Sequence, residues 1–394
     1  MLVRLVKFIV AILSCGILAI CLLLLAMWWE HRAPATLPAP TGSLSVGRTL
    51  MTLTNPNGGE ELAVWIWYPA DPSEQPTADY LPGSWREAVR ARQNTFMRSF
   101  FKRDPAVVRA HSRADVPIAS AHRAYPVVLL RPGGSALTTD FTTLAEDLAS
   151  HGYVVAGFDA PALSFVFVGS NGRVTARAPG NTVENANGNL EDPVVTRVLA
   201  MWLVDVKVVI DKLQQLSDAP AGMFAGRLDL ARLGAAGHSF GGAQALQFCH
   251  DDGRCRAAID IDGIPFGSVV IDGLRKPAMF LLSDHSREMA DPESQKVAGM
   301  IRSIYDRLPM PRAYATIRTA NHFSFADQIL LNSQAAVALL RFAGLGALDA
   351  RRGLAISADC VRTFFDVTLN GASPAMLKQL SERYPEVAVE HDGT

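Results

Sequence analysis

The sequence lacks an excess of charge of either sign: 37 lysines and arginines nearly balance 38 aspartates and glutamates, leaving a net charge of −1 over 394 residues. A near-neutral chain offers no broad basic face to nucleic acid or another bulk polyanion. Internal repeats and sustained heptads are missing, which excludes solenoids and coiled coils. No Walker loop or dinucleotide fingerprint occurs, and neither does a Cys-x-x-Cys or His-Glu-x-x-His spacing. The nine histidines are scattered, and His250-Asp251-Asp252 reads as a solvated helix end, so the pattern points to no metal. Cysteine is scarce. Cys15 and Cys21 fall in an apolar N-terminal run and Cys360 has no evident partner. Cys249 and Cys255 bracket a short helix-to-strand connection, where a bridge and a pair of buried thiols fit equally well. Apolar residues, at 49%, are plentiful enough for a large core, and the length suits one large α/β domain.

Arg4 and Lys7 precede an uncharged apolar run from Phe8 to Trp29, closed by Trp28-Trp29 and then Glu30-His31-Arg32. A run of this length spans a bilayer, and tryptophans suit its interface. A cleaved signal peptide would have a shorter apolar core and a small-x-small cleavage site, and neither is evident. We therefore expect residues 1–7 in the cytoplasm, 8–29 as a transmembrane signal anchor, and 30–42 as a Pro/Ala-rich linker. Residues 43–394 then form one extracytoplasmic domain (periplasmic in a Gram-negative cell), with 350–394 as a C-terminal helical extension.

Within that domain strands and helices alternate. Leu44–Thr54 and Glu61–Tyr68 flank the turn cluster Asn55-Pro-Asn-Gly-Gly59 and predict an antiparallel hairpin. Trp85–Phe101 predicts an amphipathic helix. The continuous apolar run Tyr125–Leu130 predicts a buried parallel strand, followed by a helix over 141–150 and a strand over 153–158. Residues 169–192 form a Gly/Asn-rich excursion, 194–216 a long helix, and Ala257–Asp262 and Ala278–Leu282 later strands. This alternation implies a mostly parallel sheet with helices on both faces, and chemistry at the carboxyl ends of its strands.

The apolar strand Leu233–Ala236 runs into Gly237-His-Ser-Phe-Gly241, and a helical pattern begins at once. Gly-x-Ser-x-Gly at a strand–turn–helix junction is a nucleophile elbow, in which a tight turn lifts the serine hydroxyl, here that of Ser239, above the sheet. The alternative is a Gly-rich turn with an incidental serine. An oxyanion hole needs two backbone donors. The residue after the nucleophile, Phe240, offers one. The loop Arg131-Pro-Gly-Gly-Ser-Ala136 after an early strand offers the other, with Gly134 as candidate. The general base belongs on a late loop, which selects His322 in Thr319-Ala-Asn-His-Phe-Ser-Phe-Ala-Asp327, with His285 as rival and His391 in the tail. Three acids could orient that histidine: Asp262 at a strand end, Asp260 two residues deeper on the same side, and Asp284 after the next strand.

Taken together, Gly-His-Ser-Phe-Gly-Gly-Ala, Ile261-Asp-Gly263, Pro277-Ala-Met-Phe-Leu-Leu-Ser-Asp284 and His322-x-x-Phe-Ala-Asp327 resemble the plasma-type platelet-activating factor acetylhydrolases and their bacterial relatives. The likeness reaches upstream to Trp67-Tyr-Pro69, Tyr80-Leu-Pro82 and Tyr125-Pro-Val-Val, covering about residues 44–345. Phe364-Phe-Asp and Leu369-Asn-Gly are also similar to dienelactone-hydrolase-like esterases. The resemblance implies an α/β-hydrolase fold and a serine esterase acting through an acyl-enzyme, with no metal or organic cofactor. It implies Ser239 as nucleophile, His322 as base, Asp262 as acid, and Phe240 and Gly134 as oxyanion donors. The implied substrates are short-chain or oxidised phospholipids. A non-lipid small ester, an acyltransferase reaction and an inactive membrane-tethered binding protein are the alternatives. One departure stands out: the oxyanion loop reads Arg-Pro-Gly-Gly, where mammalian members carry a His-Gly-Leu-Gly type.

Overall fold

The computed structural model describes residues 2–55, 59–134, 136–184, 189–284, 291–335, 337–338 and 348–390. His285 and His391 lie outside the described residues. The strands are β1 (Ala35–Thr36), β2 (Ser45–Thr54), β3 (Glu61–Ala70), β4 (Thr77–Asp79), β5 (Val108–Ala114), β6 (Tyr125–Arg131), β7 (Val154–Asp159), β8 (Val166–Val168), β9 (Val174–Ala176), β10 (Leu228–His238), β11 (Cys255–Ile261), β12 (Ala278–Leu282), β13 (Ala313–Ile317) and β14 (Val387–Glu390). All but β8 and β9 join one sheet, in the order β1-β5-β2-β3-β7-β6-β10-β11-β12-β13-β14 with β4 on β5. The predicted hairpin is present: β2 and β3 pair antiparallel from Ser45↔Ala70 to Thr54↔Glu61. From β7 across to β13 every neighbouring pair is parallel.

The helices are α1 (Leu2–Arg32), α2 (Gly83–Arg92), α3 (Thr95–Phe100), α4 (Thr142–Ser150), α5 (Pro193–Asp218), α6 (Phe240–Asp251), α7 (Val269–Asp272), α8 (Pro292–Tyr305), α9 (Gln328–Leu331), α10 (Ala350–Leu369) and α11 (Ala375–Arg383). Successive strand residues face opposite ways, and this decides the two layers of core. Met279 and Leu281 of β12 belong to the core layer that includes residues of α4 and α10, whereas Ala278, Phe280 and Leu282 belong to the layer that includes residues of α5, α6 and α8. Both faces are covered, so the central strands must be apolar throughout rather than alternating.

Two elements differ from expectation for local reasons. The single helix expected over 85–101 is two, because Asn94 Oδ1 accepts the Phe96 N–H at 2.9 Å and starts a new helix after an extended Gln93. The extension read as helical also supplies β14, which pairs antiparallel with β13 from Tyr314↔Glu390 to Ile317↔Val387 and closes that edge. A disulfide joins Cys249 at the end of α6 to Cys255 at the start of β11, with Cα atoms 5.0 Å apart, while Cys360 is a buried free thiol.

Helix α1 is long and apolar enough to cross a membrane, and its apolar side chains are exposed along most of its length. Its carboxyl end is docked on the domain. The Glu30 carboxylate accepts from Ser333 Oγ at 2.8 Å and from the Gln334 N–H at 2.7 Å, and pairs with Arg103 at 3.3 Å. The Asp104 N–H donates to the His31 carbonyl at 3.1 Å. A carboxylate ending an apolar helix has to stay out of hydrocarbon, and this one finds its donors on the domain. The stretch read as a linker continues the docking, with β1 on β5 and Leu37 buried.

Candidate active site

The candidate residues gather at the carboxyl ends of neighbouring parallel strands. Ser239 follows β10, Asp262 follows β11, His322 lies on the loop after β13, and Gly133-Gly134 follow β6. These strands are consecutive neighbours, apart from β12 between β11 and β13, so segments far apart in sequence meet at one edge.

Ser239 sits at φ 57° and ψ −127°, a left-handed conformation that costs a non-glycine residue about 1–3 kcal/mol and persists only where surrounding structure enforces it. The enforcement is visible. A Cβ at Gly237 would stand 2.0 Å from the Gly241 carbonyl oxygen, so strand and helix can approach this closely only with glycine there. The Ser239 N–H donates to the Ile261 carbonyl at 2.8 Å and the Ser239 carbonyl accepts from Gly242 N at 2.9 Å, fixing the turn from both sides. Phe240 opens α6, where N–H groups have no intrahelical acceptor and the helix dipole favours negative charge.

The candidate oxyanion loop lies against this turn. A Cβ at Gly133 would be 3.0 Å from Ser239 Cβ and 3.4 Å from its Oγ, so any side chain there would crowd the hydroxyl. The same construction at Gly134 meets Arg177 Nη1 at 2.8 Å, and Arg177 pairs with Glu184. Both partners come from the excursion after β8. Arg131, where the loop departs from the mammalian pattern, is fully buried. Its guanidinium lies between the rings of Phe158 (4.3 Å) and Trp202 (4.0 Å) and donates to the Phe158 carbonyl. Trp202 in turn packs edge-on against Phe240 at 5.0 Å. Burial pulls the Arg131 guanidinium down to about 10, with Asp159 and Asp205 opposing the shift.

His322 and Asp262 meet directly, with His322 Nδ1 2.8 Å from Asp262 Oδ2. The Asp262 side chain is fully buried, while that of His322 is 39% exposed and can face a substrate. Ser283 completes the carboxylate's environment: its N–H donates to Asp262 Oδ1 at 2.7 Å and its hydroxyl to Oδ2 at 2.9 Å. Both carboxylate oxygens thus accept from Ser283, and Oδ2 also faces the imidazole. The rival acids are elsewhere. Asp260 lies beneath the elbow, accepts the Gly263 N–H at 2.9 Å, and is pushed well above the usual carboxylate range by burial. Asp284 accepts the Thr319 N–H at 3.0 Å and ties the start of the His322 loop.

A cavity of about 350 Å³ opens over Ser239 and His322, with Phe240, Phe266, Ile264 and Val183 among its apolar walls and Glu184 and Phe323 also lining it. That volume falls at the lower end for small-molecule sites. Among the described residues no cluster of His, Cys, Asp and Glu is placed to hold a metal ion. Sequence reasoning missed Ser283 and His238, although both lie in motifs it singled out. The buried ring of His238 lies 4.5 Å from that of His322, and its Nε2 is 2.7 Å from the His322 carbonyl oxygen.

The model of the family described as platelet-activating factor acetylhydrolase, isoform II, matches residues 31–164 and 206–371. An Arthroderma benhamiae protein named "Probable 1-alkyl-2-acetylglycerophosphocholine esterase" is 27% identical over 279 residues, covering 66% of this chain and 65% of that protein. The platelet-activating factor acetylhydrolase of Cavia porcellus is 25% identical over 324 residues, covering 74% and 69%. The chain thus spans about two thirds of the length of these curated relatives. Among solved structures, the ferulic acid esterase from Streptomyces cinnamoneus superposes with a TM-score of 0.70 at 26% identity, over 91% of this chain and 100% of that one.

Proposed function

Because this chain belongs to the platelet-activating factor acetylhydrolase, isoform II, family, we propose that it is a serine esterase working through Ser239, His322 and Asp262. The observation that carries the reading is the meeting of a strained elbow serine with a histidine–carboxylate pair at one cavity. In the proposed reaction His322 Nε2 takes the Ser239 proton as Oγ attacks the ester carbonyl carbon. The N–H groups of Phe240 and Gly134 hold the oxyanion. Collapse expels the alcohol, which leaves with the proton from His322. Water, deprotonated by the same imidazole, then attacks the acyl-enzyme and releases the acid and free Ser239. Asp262 stays ionised throughout and fixes the imidazole tautomer.

The substrate class proposed is glycerophospholipid with a short or oxidised acyl chain. The relatives' names and the modest cavity support it, as does the burial of Leu163, Val166, Phe167 and Val168, the apolar stretch that could otherwise have formed an exposed lid. A second reading, hydrolysis of a small aromatic-acid ester, is favoured by Phe240, Phe266 and Phe323 around the cavity and by the solved esterase. A fluorophosphonate should label Ser239, and acetyl-glycerophosphocholine should turn over faster than its palmitoyl counterpart and than a feruloyl ester. Faster palmitoyl turnover would remove the chain-length preference, and faster feruloyl turnover would move the assignment to the second reading. Adding an acceptor alcohol separates hydrolysis from acyl transfer.

We further propose that α1 anchors the enzyme, with residues 1–7 cytoplasmic and the domain exported beside its lipid substrates. Arg4 and Lys7 on the short side and the Cys249–Cys255 disulfide, which suits an oxidising compartment, support this. An export-dependent reporter fused after Thr394 should be active, and activity only from a cytoplasm-dependent reporter would reverse the topology.

A further inference from the structure

We propose that His238, the residue preceding the nucleophile, is a positioning residue for His322, holding both the backbone and the ring of the base through a hydrogen bond and a tilted ring contact. The inference rests on the esterase reading above and deepens it. Its geometry is specific. His238 Nε2 lies 2.7 Å from the His322 carbonyl oxygen. A carbonyl can only accept, so Nε2 carries the proton, and Nδ1 is left bare in the neutral ring. The two imidazoles lie 4.5 Å apart at 37°. The His238 ring also packs near Phe141 at 5.4 Å and Phe325 at 6.0 Å. His238 is buried, and burial together with the neighbouring His322 pulls its imidazole down to about 4. It is therefore a neutral donor across the working range and adds no charge beside His322 when that ring becomes an imidazolium.

The need for such a support follows from the loop. His322 is half-exposed on a segment whose short-range bonds are largely its own: Phe323 N to Asn321 Oδ1, Asn321 N to Ser324 Oγ, and Ser324 N to the Asn321 carbonyl. Bonds from outside reach the two ends of the segment, Asp284 with Thr319 and Ala320 and Asp140 with Asp327, whereas the three bonds within it shape the middle without placing His322. Asp262 holds the imidazole edge at Nδ1, yet one hydrogen bond leaves the ring free to swing about it. The bond from His238 fixes the backbone at His322 itself, and it comes from the same strand that delivers Ser239. Nucleophile and base are thereby referenced to one element, β10. A displacement of about 1 Å at a reacting pair can cost on the order of 10²-fold in rate.

The test compares His238→Phe, which keeps a ring but removes the donor, with His238→Gln, whose amide nitrogen reaches about as far as Nε2. Full-length protein in detergent micelles would be assayed with a soluble acetyl ester. The expected result is a kcat lower by roughly 10- to 100-fold for the Phe variant, with KM and the unfolding midpoint near the parent values and most of kcat recovered in the Gln variant. Slower labelling of Ser239 by a fluorophosphonate should accompany the fall in kcat. A Phe variant with parental kcat, or a Gln variant as slow as Phe, would overturn the proposal. Should the Phe variant not fold, His238→Leu against His238→Gln carries the same contrast, and equal kcat in those two would overturn it. The parent enzyme is the control for the underlying reading: absence of esterase activity there counts against that reading and not against the support role alone.

Discussion

Replacing Ser239 with alanine is expected to lower kcat by about 10⁶-fold, the scale seen when a serine hydrolase loses its nucleophile, while leaving the fold unchanged. The stability half of this expectation rests on what Ser239 does with its main chain. Its N–H to Ile261 and its carbonyl from Gly242 are kept by alanine, and a φ of 57° is no more costly for alanine than for serine. The catalytic half rests on Ser239 being the one hydroxyl among the described residues that line the cavity. Ser283 is already committed to Asp262 and, like that carboxylate, is buried, so it is not available as a second nucleophile. Residual turnover would come from the cavity and the oxyanion donors alone. The measurement is steady-state hydrolysis of an activated acetyl ester beside a thermal melt and fluorophosphonate labelling. Hydrolysis at the parental rate in a folded, unlabelled variant would place the chemistry elsewhere.

Asp262→Asn is expected to cost about 10⁴ in kcat, the effect of the same change in the well-studied serine triad, and the local geometry says why the amide cannot adapt. Oδ1 of Asp262 accepts the Ser283 backbone N–H at 2.7 Å, and Oδ2 faces His322 Nδ1 at 2.8 Å. An asparagine must keep its oxygen on that backbone donor, since turning the amide would set two N–H groups against each other. Its NH₂ then faces His322, so Nδ1 must be the bare nitrogen and Nε2 carries the proton. An Nε2-protonated imidazole cannot take the Ser239 proton. Asp284→Asn and Asp260→Asn serve as comparisons. Asp284 bonds the Thr319 backbone and Asp260 the Gly263 backbone, neither touching the imidazole, so both should keep much more activity than Asp262→Asn. Near-normal turnover in Asp262→Asn with loss in Asp284→Asn would transfer the acid role to Asp284.

Much of this architecture was legible in the sequence because it is written in short-range patterns. The elbow can be read from Gly237, Ser239 and Gly241, since a strand-to-helix turn this tight tolerates little but glycine beside the serine. The parallel centre of the sheet can be read from runs such as Ala278–Leu282, where burial on both faces erases alternation. The apolar run that became α1 and the antiparallel pairing of β2 with β3 are equally local. Where the reading slipped, weak local signals were overruled by specific contacts. The Asn94 side chain restarted a helix, and Val387–Glu390 found an edge to pair with only because β13 lay there.

The choice among Asp260, Asp262 and Asp284 was of another kind. Asp262 and Asp284 follow strands while Asp260 lies inside β11; end position and family resemblance favoured Asp262, but no periodicity separates them. Only the placement of β11 beside β10, with β12 and β13 beyond, brings His322 to Asp262 across 60 residues of sequence. The same adjacency sets Ser283 under the carboxylate and turns His238 toward the His322 carbonyl. By itself, then, the sequence determined the strands, the elbow and the kinds of residue at the strand ends, because backbone conformation and burial leave local traces. Which of those residues touch was decided by tertiary structure, because hydrogen-bond partners distant in sequence are selected by strand order and register, and those are properties of the assembled sheet.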